Sequence, residues 1–259
     1  MSNTKRPLLV VCVLSLMLVT MFTARTSNSD TFKIFREGIV RDLKGIAEKQ
    51  AGVIREYVEN EKQNIKVAAY DLHNYYAKAD YSKALEYLVS VQNIYHYKEV
   101  FVANTAGNVV LSTDADHIET NMFSSEAGTT IFSRQYFKKA RSGETFVSDV
   151  AGSVIPITNE EGQLELGMPT MFISTPILST DAQVLGVLVF RIDIKQINSL
   201  MFHMNATKSG DVYLINKDGY MLTESRFTDA LELVGHIEKR TTLELHVVNP
   251  DTNNLTLAA

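Results

Sequence analysis

One cysteine in 259 residues closes off two kinds of extracellular architecture at once. Cys12 lies inside an apolar run, so the rest of the chain has neither a disulfide framework nor a thiolate metal site. Basic residues form no cluster, and with a net charge of −5 and a pI near 5.7 a nucleic-acid partner is excluded. The six histidines make no H-E-x-x-H or H-x-H pattern, and neither G-x-S-x-G nor a phosphate-cradling glycine loop occurs. An enzyme reading therefore lacks a nucleophile with a base, a tethered hydrolase is the weakest candidate, and no cofactor is implied. Asp114, Asp116 and His117 follow a strand pattern where a polar turn is expected, so they read as solvated rather than as metal ligands.

What is present begins with an uncharged run, Pro7–Ala24. At about 1.5 Å per residue it is just long enough to cross a hydrocarbon core of roughly 30 Å. Lys5 and Arg6 precede it, which keeps residues 1–6 cytoplasmic and places the chain from about 27 onward outside, with Arg25 opposing slightly. The competing reading is a cleaved signal peptide. The run is longer than such segments usually are, and Phe22-Thr23-Ala24 is a poor cleavage site, so residues 7–24 are expected to be a transmembrane helix.

From Ser29 to Tyr76 apolar residues recur at helical spacing: Phe32, Phe35, Ile39, Leu43, Ile46, Val53, Tyr57, Ile65, Ala68, Leu72 and Tyr75. This stripe is close to a heptad seam and no proline interrupts it. It predicts a long stalk helix over residues 27–78, either dimerising or lying along its own domain. A second helix is expected over Tyr81–Tyr95. The period then changes to two, and Glu99–Thr113 reads as strand, turn, strand. Shifted by 112 positions, Phe101, Val102, Ala103, Asn104 and Gly107 align with Tyr213, Leu214, Ile215, Asn216 and Gly219, an internal repeat of a β-hairpin. Between the repeats come a short helix (Ser133–Ser142), a strand (Thr145–Val150), a loop rich in turn residues, strands at Met171–Pro176 and Val184–Asp193, and a helix from Ile194 to Asn205. The order gives an α+β fold with an antiparallel sheet.

SRQYFKKARSGETFVSDV (Ser133–Val150), STPILSTDAQVLGVLVFRIDI (Ser174–Ile194) and GDVYLINKDGYMLTESRF (Gly210–Phe227), in this order behind an anchor and a long helix, resemble the double Cache sensor domains. These belong to bacterial chemoreceptors, sensor histidine kinases and membrane-bound cyclic-dinucleotide enzymes. The resemblance covers Ser29–Phe227 and implies two PAS-like sheets on the long helix: a membrane-distal domain over 79–200 and a membrane-proximal one over 201–259. The proximal unit is expected to be incomplete, with this chain a fragment of a longer receptor in a bacterial inner membrane.

The resemblance also implies a ligand site in the distal domain. Carried over position by position it selects Arg134, Tyr136 and Phe137, then Asp149, then Asp193 at the end of the last strand. An arginine holds a carboxylate through two parallel hydrogen bonds, and an aspartate accepts from an ammonium group. The amino-acid-binding subset has tryptophan then tyrosine where this chain has Tyr136 and Phe137, and tyrosine in place of Val147. Arg134-x-Tyr136-Phe137 also resembles the C4-dicarboxylate sensors, so the expected ligand is a small carboxylate, amino acid or organic acid. In the alternative, Tyr136 and Phe137 are core residues and Arg134 pairs with Asp149 or Asp193 to hold the sheet. The functions implied are a non-catalytic receptor module, homodimeric through the long helix, or a membrane-anchored protein-interaction module without a small ligand.

Overall fold

The computed structural model describes residues 5–118, 120–122, 134–153, 156–159, 162–202 and 211–247, with side chains from residue 31 onward except 158 and 202. The chain divides into two units, Met1–Ala51 and Gly52–Ala259, joined by one continuous helix, α1 (Lys5–Tyr76). Pro7 falls in its first turn, where a missing N–H breaks no helical bond.

In the first unit the stripe is open to solvent. Phe32 and Phe35 are 71% and 65% exposed, and Ile39 and Leu43 are exposed beside them. The side chains of the expected transmembrane run, residues 7–24, lie outside the described residues. Among the described residues no helix is long and apolar enough to cross a membrane.

In the second unit the same periodicity is satisfied by burial. Ile65, Ala68 and Leu72 of α1 pack with Ala84 and Leu88 of α2 (Tyr81–Tyr95) on one face of an antiparallel sheet. Between the helices Ala79 turns left-handed, and Asp80 caps α2 by accepting from the Lys83 N–H.

The strands are β1 (Glu99–Asn104), β2 (Val109–Ser112), β3 (Phe146–Val147), β4 (Ala151–Gly152), β5 (Ile157–Thr158), β6 (Leu164–Glu165), β7 (Pro169–Leu178) and β8 (Val184–Asp193). Their order is β2-β1-β8-β7-β3, with β4 also on β7 and β5–β6 a separate hairpin. Strand alternation divides the side chains. Val100, Val102, Ile173, Leu188, Phe190 and Ile192 face α1 and α2. Phe101, Ala103, Val187 and Val189 face α3 (Gln135–Arg141), which contributes Tyr136, Phe137 and Ala140. Helix α4 (Ile194–Phe202) follows β8 directly.

The hairpin repeat is reproduced bond for bond. Asn104 Oδ1 accepts from the N–H groups of Ala106 and Asn108 at 3.0 Å each, and Asn216 Oδ1 accepts from those of Asp218 and Tyr220 at 3.0 and 2.9 Å. Ala103 pairs with Val109 and Ile215 with Met221, while Gly107 and Gly219 share a φ of 87°. Both loops need the left-handed glycine because the asparagine side chain has already closed the turn. Beyond the second hairpin, α5 (Thr228–Leu233) leads to a return segment that bridges Tyr220 with His246.

Candidate functional site

A carboxylate in the first position of an otherwise apolar strand must find partners or lose its charge. Glu99 opens β1 on the α3 face with 1% exposure. It accepts from Ser112 Oγ at 2.7 Å, meets His117 Nδ1 at 2.5 Å, and faces Arg191 Nη1 at 3.4 Å. Each partner is positioned by a regular element. Arg191 is the register partner of Glu99 on β8, Ser112 ends β2, and His117 sits in a 3-10 turn (Ala115–His117) that Asp114 caps by accepting from the Asp116 N–H. Burial by itself raises the Glu99 pKa, but His117, Ser112 and Arg191 together outweigh it and hold the group below its ordinary value.

His117 corrects the expectation of a solvated turn. Asp116 is exposed, but the imidazole is 6% exposed and packs edge-on to Phe101. The 3-10 turn rotates it inward, where the buried carboxylate supplies the polar partner that an apolar face otherwise denies it. Among the described residues no three His, Cys, Asp or Glu side chains are grouped to hold a metal ion.

The guanidinium of Arg191 is buried as well. Its Cζ lies 5.6 Å from the centre of the Phe172 ring, and its Nε has no partner among the described residues. Phe172 in turn stacks on Tyr136 with ring centres 4.5 Å apart. The Tyr136 phenol is pushed up to about 12, by burial first, with Arg134 and Arg191 pulling it down and Glu99 pushing it up. Both arginines and the glutamate therefore act on one phenol. Ser174 Oγ donates to the Tyr136 carbonyl at 2.7 Å and ties the start of α3 to β7.

The residues selected from the resemblance divide. Arg134 is half-buried at the start of α3 and donates to the Asn121 carbonyl at 2.7 Å. Tyr136 lies beside it in the aromatic stack. Phe137 is fully buried in the α3-side core. Asp193 shares the sheet face of Arg191, but its Oδ1 accepts from the Lys195 N–H at 3.0 Å, at the start of α4. Asp149 is exposed beyond β3 and does not join the cluster. The structure thus brings Arg134 and Tyr136 together with Glu99, Ser112, His117, Phe172 and Arg191. No sequence motif marks Glu99, Ser112, Phe172 or Arg191, and His117 reads in the sequence as part of a solvated turn. For Glu99 and Arg191 the signal is a charge inside an apolar strand, as in EVFVAN and VLVFRID.

No curated protein matches this chain. Solved structures share its fold. The sensor domain of the V. cholerae histidine kinase DctB superposes with a TM-score of 0.53 at 17% identity, covering 72% of this chain and 67% of that one. The ligand-binding domain of the C. jejuni chemoreceptor Tlp3, solved with 4-methylisoleucine, gives 0.53 at 14% over 75% and 72%. That of the P. fluorescens chemoreceptor CtaA, solved with L-valine, gives 0.51 at 16% over 72% and 75%. Residues 31–247 match the Cache domain profile of the double-Cache type, and the chain belongs to the Cache domain family.

Proposed function

We propose that this chain is the extracytoplasmic sensing part of a membrane receptor, and that it binds a small carboxylate-bearing molecule on the α3 face of the sheet. The observation that carries this reading is Arg191, a buried guanidinium whose Nε has no partner among the described residues, set against the Tyr136–Phe172 stack. A planar carboxylate satisfies such a group through parallel hydrogen bonds, and Arg134 supplies a second cation near the same phenol. Glu99 already serves three donors, which leaves little for a ligand ammonium and favours an organic acid over an amino acid.

The receptor reading adds three parts. Residues 7–24 anchor the chain in a bacterial inner membrane with the amino terminus inside. The exposed stripe from Phe32 to Leu43 pairs with a second copy. Residues 79–200 form the distal domain, and the repeated hairpin opens the proximal one. The role is binding, not catalysis. Ligand acts only as far as it prefers one arrangement of sheet and helix, typically about 1–3 kcal/mol of coupling.

The test is a thermal-shift screen of the full chain in detergent against dicarboxylates, amino acids and amines, followed by affinity measurements on Arg191→Ala and Arg134→Ala. Acids are expected to stabilise, and each variant to weaken the best hit by about tenfold or more. Unchanged affinity in both variants would sink the pocket. No hit from the whole panel would favour a protein-interaction module instead.

A further inference from the structure

The opposite face of the sheet carries a cleft of about 520 Å³. That lies within the ordinary size range of small-molecule sites, roughly 300 to 1,000 Å³. Its origin is visible in the packing. Ile65, Ala68 and Leu72 hold α1 against the sheet, but the edge strand β3 has only two residues, so the helix overhangs β7 without a neighbour beneath it. One wall is α1, with Lys66, His73 and Asn74 on a single helix face; the other is Thr145 and Thr175, with Thr180 of the β7–β8 turn.

We propose that this cleft is a second binding site, separate from the Arg191 cluster, for a small oxyanion-bearing molecule. Three features point to that chemistry. Among the described residues, no acidic residue lines the cleft. Lys66, the cation among the described lining residues, is flanked at helical spacing by Lys62, Gln63, Ala69 and Tyr70, so no carboxylate stands one turn away on its own helix. The remaining polar groups have hydrogen-bonding capacity unspent. His73 Nδ1 is buried with no partner among the described residues. Thr145 and Thr175 share one hydrogen bond at 2.7 Å, in which one hydroxyl donates to the other and leaves the second proton directed elsewhere. An ammonium, a hydroxyl donor and an imidazole around one cavity match the acceptors of a carboxylate or a phosphate. The site lies on α1 itself, so an occupant touches the helix directly and needs no movement of the sheet.

The chain contains no tryptophan, which makes a specific reporter available. Tyr70 lines the cleft and is 78% exposed, so Tyr70→Trp places the sole indole there without disturbing the core. The full chain carrying Tyr70→Trp, in detergent, is titrated with succinate and separately with inorganic phosphate, each up to about 10 mM, ten times a weak-site Kd of about 1 mM. A saturable fluorescence change is expected with at least one of them. Lys66→Met and Thr175→Val are each expected to weaken it by about tenfold, while the double variant Glu99→Leu/Arg191→Met, which removes the buried pair of the other face together, leaves it unchanged. A response to only one probe assigns the oxyanion to that class. No saturable change with either probe overturns the proposal, as does a response that Lys66→Met and Thr175→Val leave intact. A response lost in Glu99→Leu/Arg191→Met would place the binding on the other face and overturn it equally.

Discussion

A buried carboxylate is stabilised only as a set. Removing one partner of a buried ion pair typically costs about 3–5 kcal/mol, because the remaining charge stays out of water, whereas replacing both with apolar residues is often neutral. Arg191→Met therefore strands Glu99 on Ser112 and His117 and should lower stability strongly. Adding Glu99→Leu should restore much of the loss. Urea unfolding of the two single variants and the double variant checks this; additive losses would mean that the pair is not coupled. Glu61 of α1 presents the opposite sign. Burial raises its pKa, with the hydrogen bonds from Tyr97 and Asn64 lowering it, and burial wins. A group whose folded pKa is raised contributes stability below its unfolded value, near 4.5, and loses it as pH rises through the folded pKa. Glu99, held low, contributes above that value and loses its contribution as pH falls through its folded pKa. Glu61→Gln keeps an acceptor for Tyr97 and should stabilise the chain at neutral pH but not at pH near 4, as read from thermal unfolding across pH.

At the scale of elements, the repeat makes a matched prediction. A Cβ in the left-handed conformation costs about 1–2 kcal/mol, and asparagine tolerates it better than alanine. Gly107→Ala and Gly219→Ala should each destabilise by about that amount, with Gly107→Asn and Gly219→Asn milder, in chemical denaturation. A loss at one hairpin only would deny the repeat its common turn. These hairpins were legible in the sequence because a period-two pattern, an asparagine and a glycine each carry local information. Helix α2 and strand β8 likewise begin and end at the predicted residues, Tyr81–Tyr95 and Val184–Asp193. In the sequence, β4, β5 and β6 show only as a turn-rich loop, since two residues display no periodicity. The candidate site was half legible. Arg134 and Tyr136 belong to a short local motif, whereas Glu99, Ser112, His117 and Arg191 meet only through sheet register and a 3-10 turn, and Glu99 and Arg191 stand 92 residues apart.

At the scale of the whole second unit, the chain after α4 is fastened by charges to the β5–β6 hairpin and the loop that follows it. Glu165 on β6 meets Lys239 Nζ at 2.6 Å and Arg240 Nη1 at 3.0 Å, while Arg240 Nη2 donates to the Gly167 carbonyl at 3.3 Å. The Lys239 contact first, opposed by burial, and then Asn159 and Arg240 bring the Glu165 carboxyl down to about 2. Its contribution is present above the unfolded pKa and is lost as pH falls toward 2, but Lys239 is half exposed and water screens the pair, so the gain is small. Glu224 holds the same segment from inside. It accepts from the N–H groups of Thr241 and Thr242 at 2.9 and 3.2 Å, and the Thr241 and Thr242 side chains are fully buried. Burial decides which fastening matters more, since an unmet buried N–H costs about 1–3 kcal/mol while a screened surface pair contributes about 0–1. Hydrogen exchange should therefore show faster exchange over residues 237–247 in Glu224→Ala than in Glu165→Ala, with β1 and β8 unchanged in both. If β8 exchanged faster in step with residues 237–247, the repeated hairpin and the sheet would be one cooperative body, held by shared packing rather than by these two carboxylates.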